Sequence, residues 1–196
     1  MTTIAEQKKQ LRKRMRAMRL VADQKEGPNV ARDIIAPFVE ALDELGVAPG
    51  TVVGGYWPIV TEVDDRPLLA RLEERGAICA LPVVVAPDAE LEFRRWSVLD
   101  ALEPGPLGTS HPPSSAPVVT PQVLLVPLLA FDEDGFRLGQ GGGYYDRTLA
   151  SMRRNGPVEA VGVGFSVQRT ERVPRDETDE PLDWILTEGS LRRVKS

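Results

Sequence analysis

Apolar positions near the N-terminus recur at helical spacing. At about 100° per residue, Ile4, Leu11, Met15 and Met18 share one face of a helix that runs to about Ala22. Thr2 or Thr3 stands where an N-cap belongs. Lys8, Arg12, Arg16 and Arg19 line one border of that face, where a side chain can pack its stem on a core and keep its charge at a cleft. Asp23 to Pro28 breaks the pattern, and a second helix follows to about Leu45, with Gly46 as its stop. Thr51–Tyr56 is an apolar run that predicts a buried strand ended by Trp57-Pro58. Asp64 or Asp65 caps a third helix, with Pro67 in its first turn and Gly76 closing it. Ala77–Leu81 predicts the next strand, and the alternation over Leu91–Trp96 another, in antiparallel orientation. Residues 103–121, rich in Pro, Gly and Ser, form a long irregular connection. Val123–Leu129 reads as a central strand. A glycine-rich loop then leads into a helix ending at Asn155-Gly156. Val158–Phe165 and Trp184–Thr187 are the last expected strands.

Strands alternating with helices imply an α/β fold: a mostly parallel sheet with helices on both faces, in three layers. Ligands in such folds bind beyond the carboxyl ends of the strands. The segments 57–62, 130–146 and 166–180 all follow strands, so they are expected to meet at one edge.

The length of 196 residues suits a single domain spanning 1–196. No apolar run is long enough to span a membrane, and the basic N-terminus lacks the apolar centre of a signal peptide. One cysteine and one histidine exclude an intrachain disulfide and a Cys/His zinc site within the chain. Cys79, inside an apolar run, is expected to be inert packing, and a reducing cytoplasm is the expected compartment. The net charge of −5 argues against general nucleic-acid affinity, but it is unevenly spread. Cations cluster over residues 8–19, and acids over Asp176-Glu177-Thr178-Asp179-Glu180 and Asp183.

The densest chemistry lies in Arg137-Leu138-Gly139-Gln140-Gly141-Gly142-Gly143-Tyr144-Tyr145-Asp146-Arg147. Glycines at a strand-to-helix turn expose backbone N–H groups that suit phosphate, and a following aspartate suits magnesium. It is neither a P-loop nor a dinucleotide fingerprint, and a tight corner without a ligand is the alternative. Lys8 and Arg12, one turn apart, offer a point charge and a fork for phosphate oxygens. A solvated basic face is the alternative; a helix that meets RNA or membrane is a third reading, which a single short cluster in an acidic protein argues against. Glu62 could accept from ligand N–H groups, and Trp57 and Tyr56 could stack on a flat ring. Asp179 and Asp183 are either metal ligands or an acidic surface loop. His111 has no assigned role.

Lys8-x-x-Leu11-Arg12 and Tyr56-Trp57-Pro58-x-x-x-Glu62-x-Asp64 precede the glycine-rich run. Gly162-x-Gly164-Phe165-x-x-Gln168, Val173-Pro174 and Asp179-x-x-Leu182-Asp183-x-x-Leu186-Thr187-Glu188 follow it. In this order, over nearly the whole chain, these motifs resemble the 5-formyltetrahydrofolate cyclo-ligase family, whose members are also called 5,10-methenyltetrahydrofolate synthetases. The resemblance implies ATP-dependent conversion of 5-formyltetrahydrofolate to 5,10-methenyltetrahydrofolate, with release of ADP and phosphate. The formyl oxygen would be phosphorylated and N10 would attack. By position, Lys8, Arg12, Arg137, Leu138, Gly139, Gln140, Gly141, Gly142, Gly143, Tyr144 and Tyr145 would bind ATP. Trp57, Glu62 and the Gln140–Tyr144 segment would contact the folate. Asp146 and Asp179 would hold Mg2+, with Asp183 the weaker candidate. No side-chain nucleophile is implied, and no general base is identified. The expected partners are 5-formyltetrahydrofolate and ATP, without nucleic acid or membrane, for a protein acting as a monomer. The alternative is a non-catalytic nucleotide- or folate-binding regulatory protein on the same scaffold. Three positions depart from the family pattern. Thr178 replaces a frequent histidine, Gln140 a frequent aromatic or basic residue, and Gly108-Thr109-Ser110-His111-Pro112 a Gly-Ile-x-Glu-Pro run.

Overall fold

The structure, a computed structural model, describes residues 2–194. Its elements are α1 (Ile4–Asp33), α2 (Ile35–Glu40), β1 (Val52–Gly54), α3 (Arg66–Glu73), β2 (Ile78–Val84), β3 (Leu91–Arg95), β4 (Glu103–Pro104), β5 (Ser110–His111), β6 (Val123–Pro127), β7 (Ala130–Phe131), β8 (Arg137–Leu138), α4 (Tyr144–Asn155), β9 (Glu159–Val163), β10 (Trp184–Thr187) and β11 (Ser190–Arg193). Seven strands form the main sheet in the order β11-β10-β9-β6-β1-β2-β3. Neighbours from β10 to β2 are parallel, and the edge strands β11 and β3 are antiparallel. β6 lies in the middle, as its apolar run predicts, because a strand covered on both faces has no polar side to show. β3 is antiparallel, as its alternation predicts.

The period of two sends alternate residues to opposite faces. Val123 and Leu125 of β6 join a cluster with Val30, Phe38 and Leu69, from α1, α2 and α3. Leu124 and Val126 join another with Leu149 of α4. The sheet is thus sandwiched between α1–α3 and α4, which gives the three-layer α/β arrangement. Among the described residues, no helix is long and apolar enough to cross a membrane.

Thr3 caps α1 through a reciprocal box with Glu6, which satisfies backbone donors that a helix start leaves open. The break expected at Asp23 to Pro28 is absent. α1 continues through Gly27 and Pro28 to Asp33. Local propensity loses here because the far side of Pro28 carries Val30, Ala31 and Ile34 into the core. The second helix is shorter than expected, and hydrogen-bonded turns complete the chain to Gly46, whose φ is +67°. The inward face of α1 also differs from the apolar stripe. Met15 is buried and Leu11 half-buried, but Ile4 and Met18 are exposed, and Arg19 is buried.

Asp65 occupies the N-cap position of α3 without capping it. Its carboxyl is fully buried and accepts the Tyr56 N–H at 3.0 Å, so it ties the exit of β1 instead. Burial pushes its pKa well above the carboxylate range. Asp64 supplies the local bond at the helix start, accepting from Arg66 N at 3.1 Å. Three further elements, the β4–β5 hairpin inside the expected irregular connection, the β7–β8 hairpin and β11, have no counterpart among the expected strands.

Pro28 leaves the Gln24 carbonyl without its usual helical donor and crowds it. Replacing Pro28 by Ala restores the donor, and urea unfolding should show a gain of about 1–3 kcal/mol. If residues 23–28 were a loop, the same change would instead cost a few tenths of a kcal/mol by freeing the unfolded chain.

Candidate active site

Three parallel strands end at one edge of the sheet, and their exits build a cavity of about 550 Å³. β1 delivers Tyr56, Trp57 and, after a turn, Ile59 and Glu62. β6 delivers Pro127, Leu128 and Leu129. β2 supplies Pro82 and Val84. Gln168, fully buried, locks the exit of β6: its amide donates to the carbonyls of Leu128 and Leu129 at 2.8 and 3.0 Å.

The β7–β8 hairpin carries the chain back over this edge, and the glycine-rich segment closes into α4. Gly141 and Gly143 have φ of +110° and +67°, which L-residues with side chains rarely adopt. Side chains there would also crowd Arg12 and Arg147. Among the described residues, the amides of Gly141, Gly142 and Gly143 donate to no protein acceptor, and α4 opens without a side-chain cap. These free donors, at the positive end of a 12-residue helix, make an anion-binding bend.

All but one of the residues singled out for ATP, folate or magnesium line this cavity: Lys8, Arg12, Trp57, Glu62, Arg137 through Asp146, and Asp179. Asp183 is not part of the wall. Its Oδ2 accepts the Ala160 N–H and an Arg153 N–H, so it serves the sheet and α4.

Lys8 reaches Asp176 and Asp179 at 2.7 and 2.6 Å. Burial disfavours its charge, but the two carboxylates outweigh that and raise its pKa. The Lys8 ammonium, helped by the Thr178 hydroxyl and amide, pulls the Asp176 carboxyl down to about 2. Arg12 donates to the Gly139 carbonyl at 2.9 Å and lies against Gly141. No carboxylate pairs with it among the described residues, which leaves its fork suited to a ligand anion. Arg137 is different: its buried guanidinium donates to Asp146 at 2.7 Å and to the Glu180 carbonyl. Its side chain steers Asp146 and the acidic segment.

Asp146 Oδ1 accepts from Arg137 and from Glu180 N, and Asp179 Oδ2 accepts from Lys8 and Asp176 N. Each carboxylate keeps a second oxygen with no protein donor among the described residues. Two carboxylate oxygens beside this amide-lined bend are a donor set that suits a hard divalent ion completing its shell with anionic oxygens and water. No cluster of three or more acidic, His or Cys ligands occurs among the described residues.

At the other end, Arg66 stacks on Trp57 at 4.6 Å from the ring centre. The Tyr56 hydroxyl is committed to the Val63 carbonyl at 2.7 Å, so Trp57 is the freer of the two aromatics. Glu62 is buried. Its Oε2 accepts the Ile59 N–H at 3.1 Å, and its Oε1 faces Arg19 and Gln140 at 3.5 and 3.4 Å. Burial raises its pKa, against the opposing effects of the Ile59 amide and Arg19.

A family model described as the 5-formyltetrahydrofolate cyclo-ligase family matches residues 4–188. The chain belongs to that family. A 5-formyltetrahydrofolate cyclo-ligase of Escherichia coli K12 is 33% identical over 169 residues, covering 78% of this chain and 92% of the relative. The mouse protein of that name is 28% identical over 140 residues, 66% of this chain and 69% of its own. The solved structure of 5,10-methenyltetrahydrofolate synthetase from Aquifex aeolicus superposes with a TM-score of 0.78 at 31% identity. It covers 96% of this chain and 93% of its own. Membership makes the chain an enzyme of the cyclo-ligase class.

Three contributors escaped the sequence. Arg19 buries its guanidinium under the Glu62 turn. Arg147 braces the bend, donating to Gly142 O at 2.8 Å and Ala89 O at 3.2 Å. The β4–β5 hairpin brings Thr109 and His111 to the wall. The spacing of Arg19 from Met15 was a usable signal, since the two share the inward face. For a hairpin of two-residue strands there was no such signal. Cys79, buried in β2 with its thiol pushed up to about 12 by burial, is inert as expected.

Removing Asp146 strands the buried Arg137 charge. Asp146→Ala is therefore expected to cost about 3 kcal/mol in urea unfolding. The Arg137→Met/Asp146→Ala pair should lose less than the single change. Any comparison of turnover between Asp146 variants has to be made at equal folded fraction.

Proposed function

We propose that this chain, acting as one folded unit, closes 5-formyltetrahydrofolate to 5,10-methenyltetrahydrofolate with ATP as phosphoryl donor. The observation that carries the reading is a single cavity with a cationic, amide-lined bend at one end and Trp57 with Glu62 at the other. ATP binds with its phosphates on the amides of Gly141 to Gly143 and on the cations of α1, Lys8 and Arg12. The folate ring lies against Trp57, and its N–H groups donate to Glu62. Asp146 and Asp179 hold Mg2+, which supplies charge neutralisation on the phosphates when bound.

A formamide oxygen is a poor leaving group. Transfer of the γ-phosphoryl group to that oxygen makes it a phosphate ester and places positive charge on N5. N10 then attacks the formyl carbon and gives up its proton to water, the C–O bond breaks with its electron pair leaving on inorganic phosphate, and the five-membered ring closes with its positive charge shared between N5 and N10. Such chemistry needs positioning and charge compensation more than a side-chain nucleophile, in keeping with an inert Cys79. Lys8 can exchange its carboxylate partners for phosphate oxygens. Arg12, bound only to a carbonyl, gives up least in doing so. On this reading the protein works as a monomer in a reducing cytoplasm.

Mixing the protein with Mg2+, ATP and 5-formyltetrahydrofolate should produce methenyl absorbance, and omitting ATP should abolish it. Nucleotide and folate binding without product would favour the regulatory alternative. Arg12→Ala should raise KM for ATP by about tenfold or more, the worth of a charge-assisted bond, with the thermal midpoint little changed. A collapse of the midpoint would make Arg12 a structural residue.

A further inference from the structure

α1 touches more of the cavity than its phosphate end. Its inward face carries Lys8, Arg12, Met15 and Arg19 in succession, and at about 1.5 Å per residue Arg19 lies some way along from Lys8, under the opposite end of the site. Arg19 is 3% exposed. Its Nε donates to the Thr61 hydroxyl at 3.0 Å, and its Nη1 reaches the Leu128 carbonyl at 3.3 Å and Glu62 Oε1 at 3.5 Å. One guanidinium thus spans the turn after β1 and the exit of β6. A second thread runs from the same helix: Arg16 donates to Gln140 at 2.9 Å, and Gln140 donates to Glu62 at 3.4 Å.

We propose that Arg19 is the positioning residue for Glu62: it fixes the turn that presents this carboxylate to the cavity and sets a compensating cation beside it there. The inference rests on the functional reading above, in which Glu62 accepts from the N–H groups of the folate ring. It deepens that reading by naming what makes Glu62 an acceptor.

The physical case is one of burial. The Arg19 and Glu62 side chains are 4% and 6% exposed. A carboxylate removed from water gains a proton unless a cation or several donors compensate. Besides Arg19, the Ile59 amide and Gln140 bond to Glu62. Tyr56, Tyr145 and buried Asp65 complete the titratable surroundings, and none of them brings positive charge. Without Arg19, the Glu62 carboxyl holds its proton to higher pH. A protonated carboxyl turns one acceptor site into a donor, which meets the donors of the ring head-on. Thr61 and Leu128 show that more than charge is involved. A lysine would keep the charge but lose the fork that pins the turn.

Calorimetric titration with 5-formyltetrahydrofolate and, separately, with a non-hydrolysable ATP analogue, from pH 5 to 9, tests this. In Arg19→Met, folate affinity at pH 7 should fall about tenfold or more, and the analogue should bind within a factor of about two of wild type. The loss should reverse as pH rises, because Glu62 reionises above its raised pKa. The acid limb of the binding profile should move to higher pH. Glu62→Gln should abolish that limb. Arg19→Lys should keep the limb near its wild-type position while weakening folate several-fold, and it decides the matter should Arg19→Met not fold. An unmoved limb in Arg19→Met, equal losses for both ligands, or wild-type folate affinity in Arg19→Lys overturns the proposal. Normal folate binding without methenyl product would overturn the catalytic reading alone. A wild-type protein that binds no folate would overturn both.

Discussion

Cations gathered at the wall of a cavity must leave water, and desolvation opposes every one of them. Here each cation is held by an acceptor from its own chain. Lys8 has two aspartates, Arg12 a carbonyl, Arg19 a hydroxyl, a carbonyl and a glutamate, and Arg137 an aspartate and a carbonyl. The choice of acceptor sorts their roles. Arg137, itself buried, is committed to the architecture, and Arg12, resting on a carbonyl, keeps a charge that no carboxylate pairs among the described residues.

The sheet explains why these groups meet. Parallel strands end together, and whatever follows them lands at one edge. β1 contributes the aromatic and carboxylate turn, β6 the floor, and the hairpin after β6 returns the chain as the glycine bend. That bend works by backbone rather than side chains. Positive φ at Gly141 and Gly143 turns amides outward where α4 adds its own dipole.

The sequence carried the layers, the central place of β6 and the membership of the cavity wall, because those depend on periodicity and on residue types with few alternative uses. It misled wherever tertiary packing outweighed local preference. Gly27-Pro28 reads as a stop, yet the helix continues, since Val30 and Ile34 beyond it are worth more in the core. Met18 reads as core and Arg19 as border, yet their places are exchanged: helical spacing alone cannot tell which neighbouring stripe faces inward when both contain long side chains. Asp65 reads as a cap because caps are its commonest use at a helix start. Only the buried Tyr56 amide explains its actual bond. The two-residue strands β7 and β8 are too short to leave a period.

Since Lys8, Arg12 and Arg19 ride on one unbroken helix, their aim is fixed by counting. One residue gained or lost between 12 and 19 would swing everything beyond it by about 100° and slide it by about 1.5 Å, parting the two ends of the cavity. A change of letter on the outward side leaves that aim intact, whereas a change of length does not.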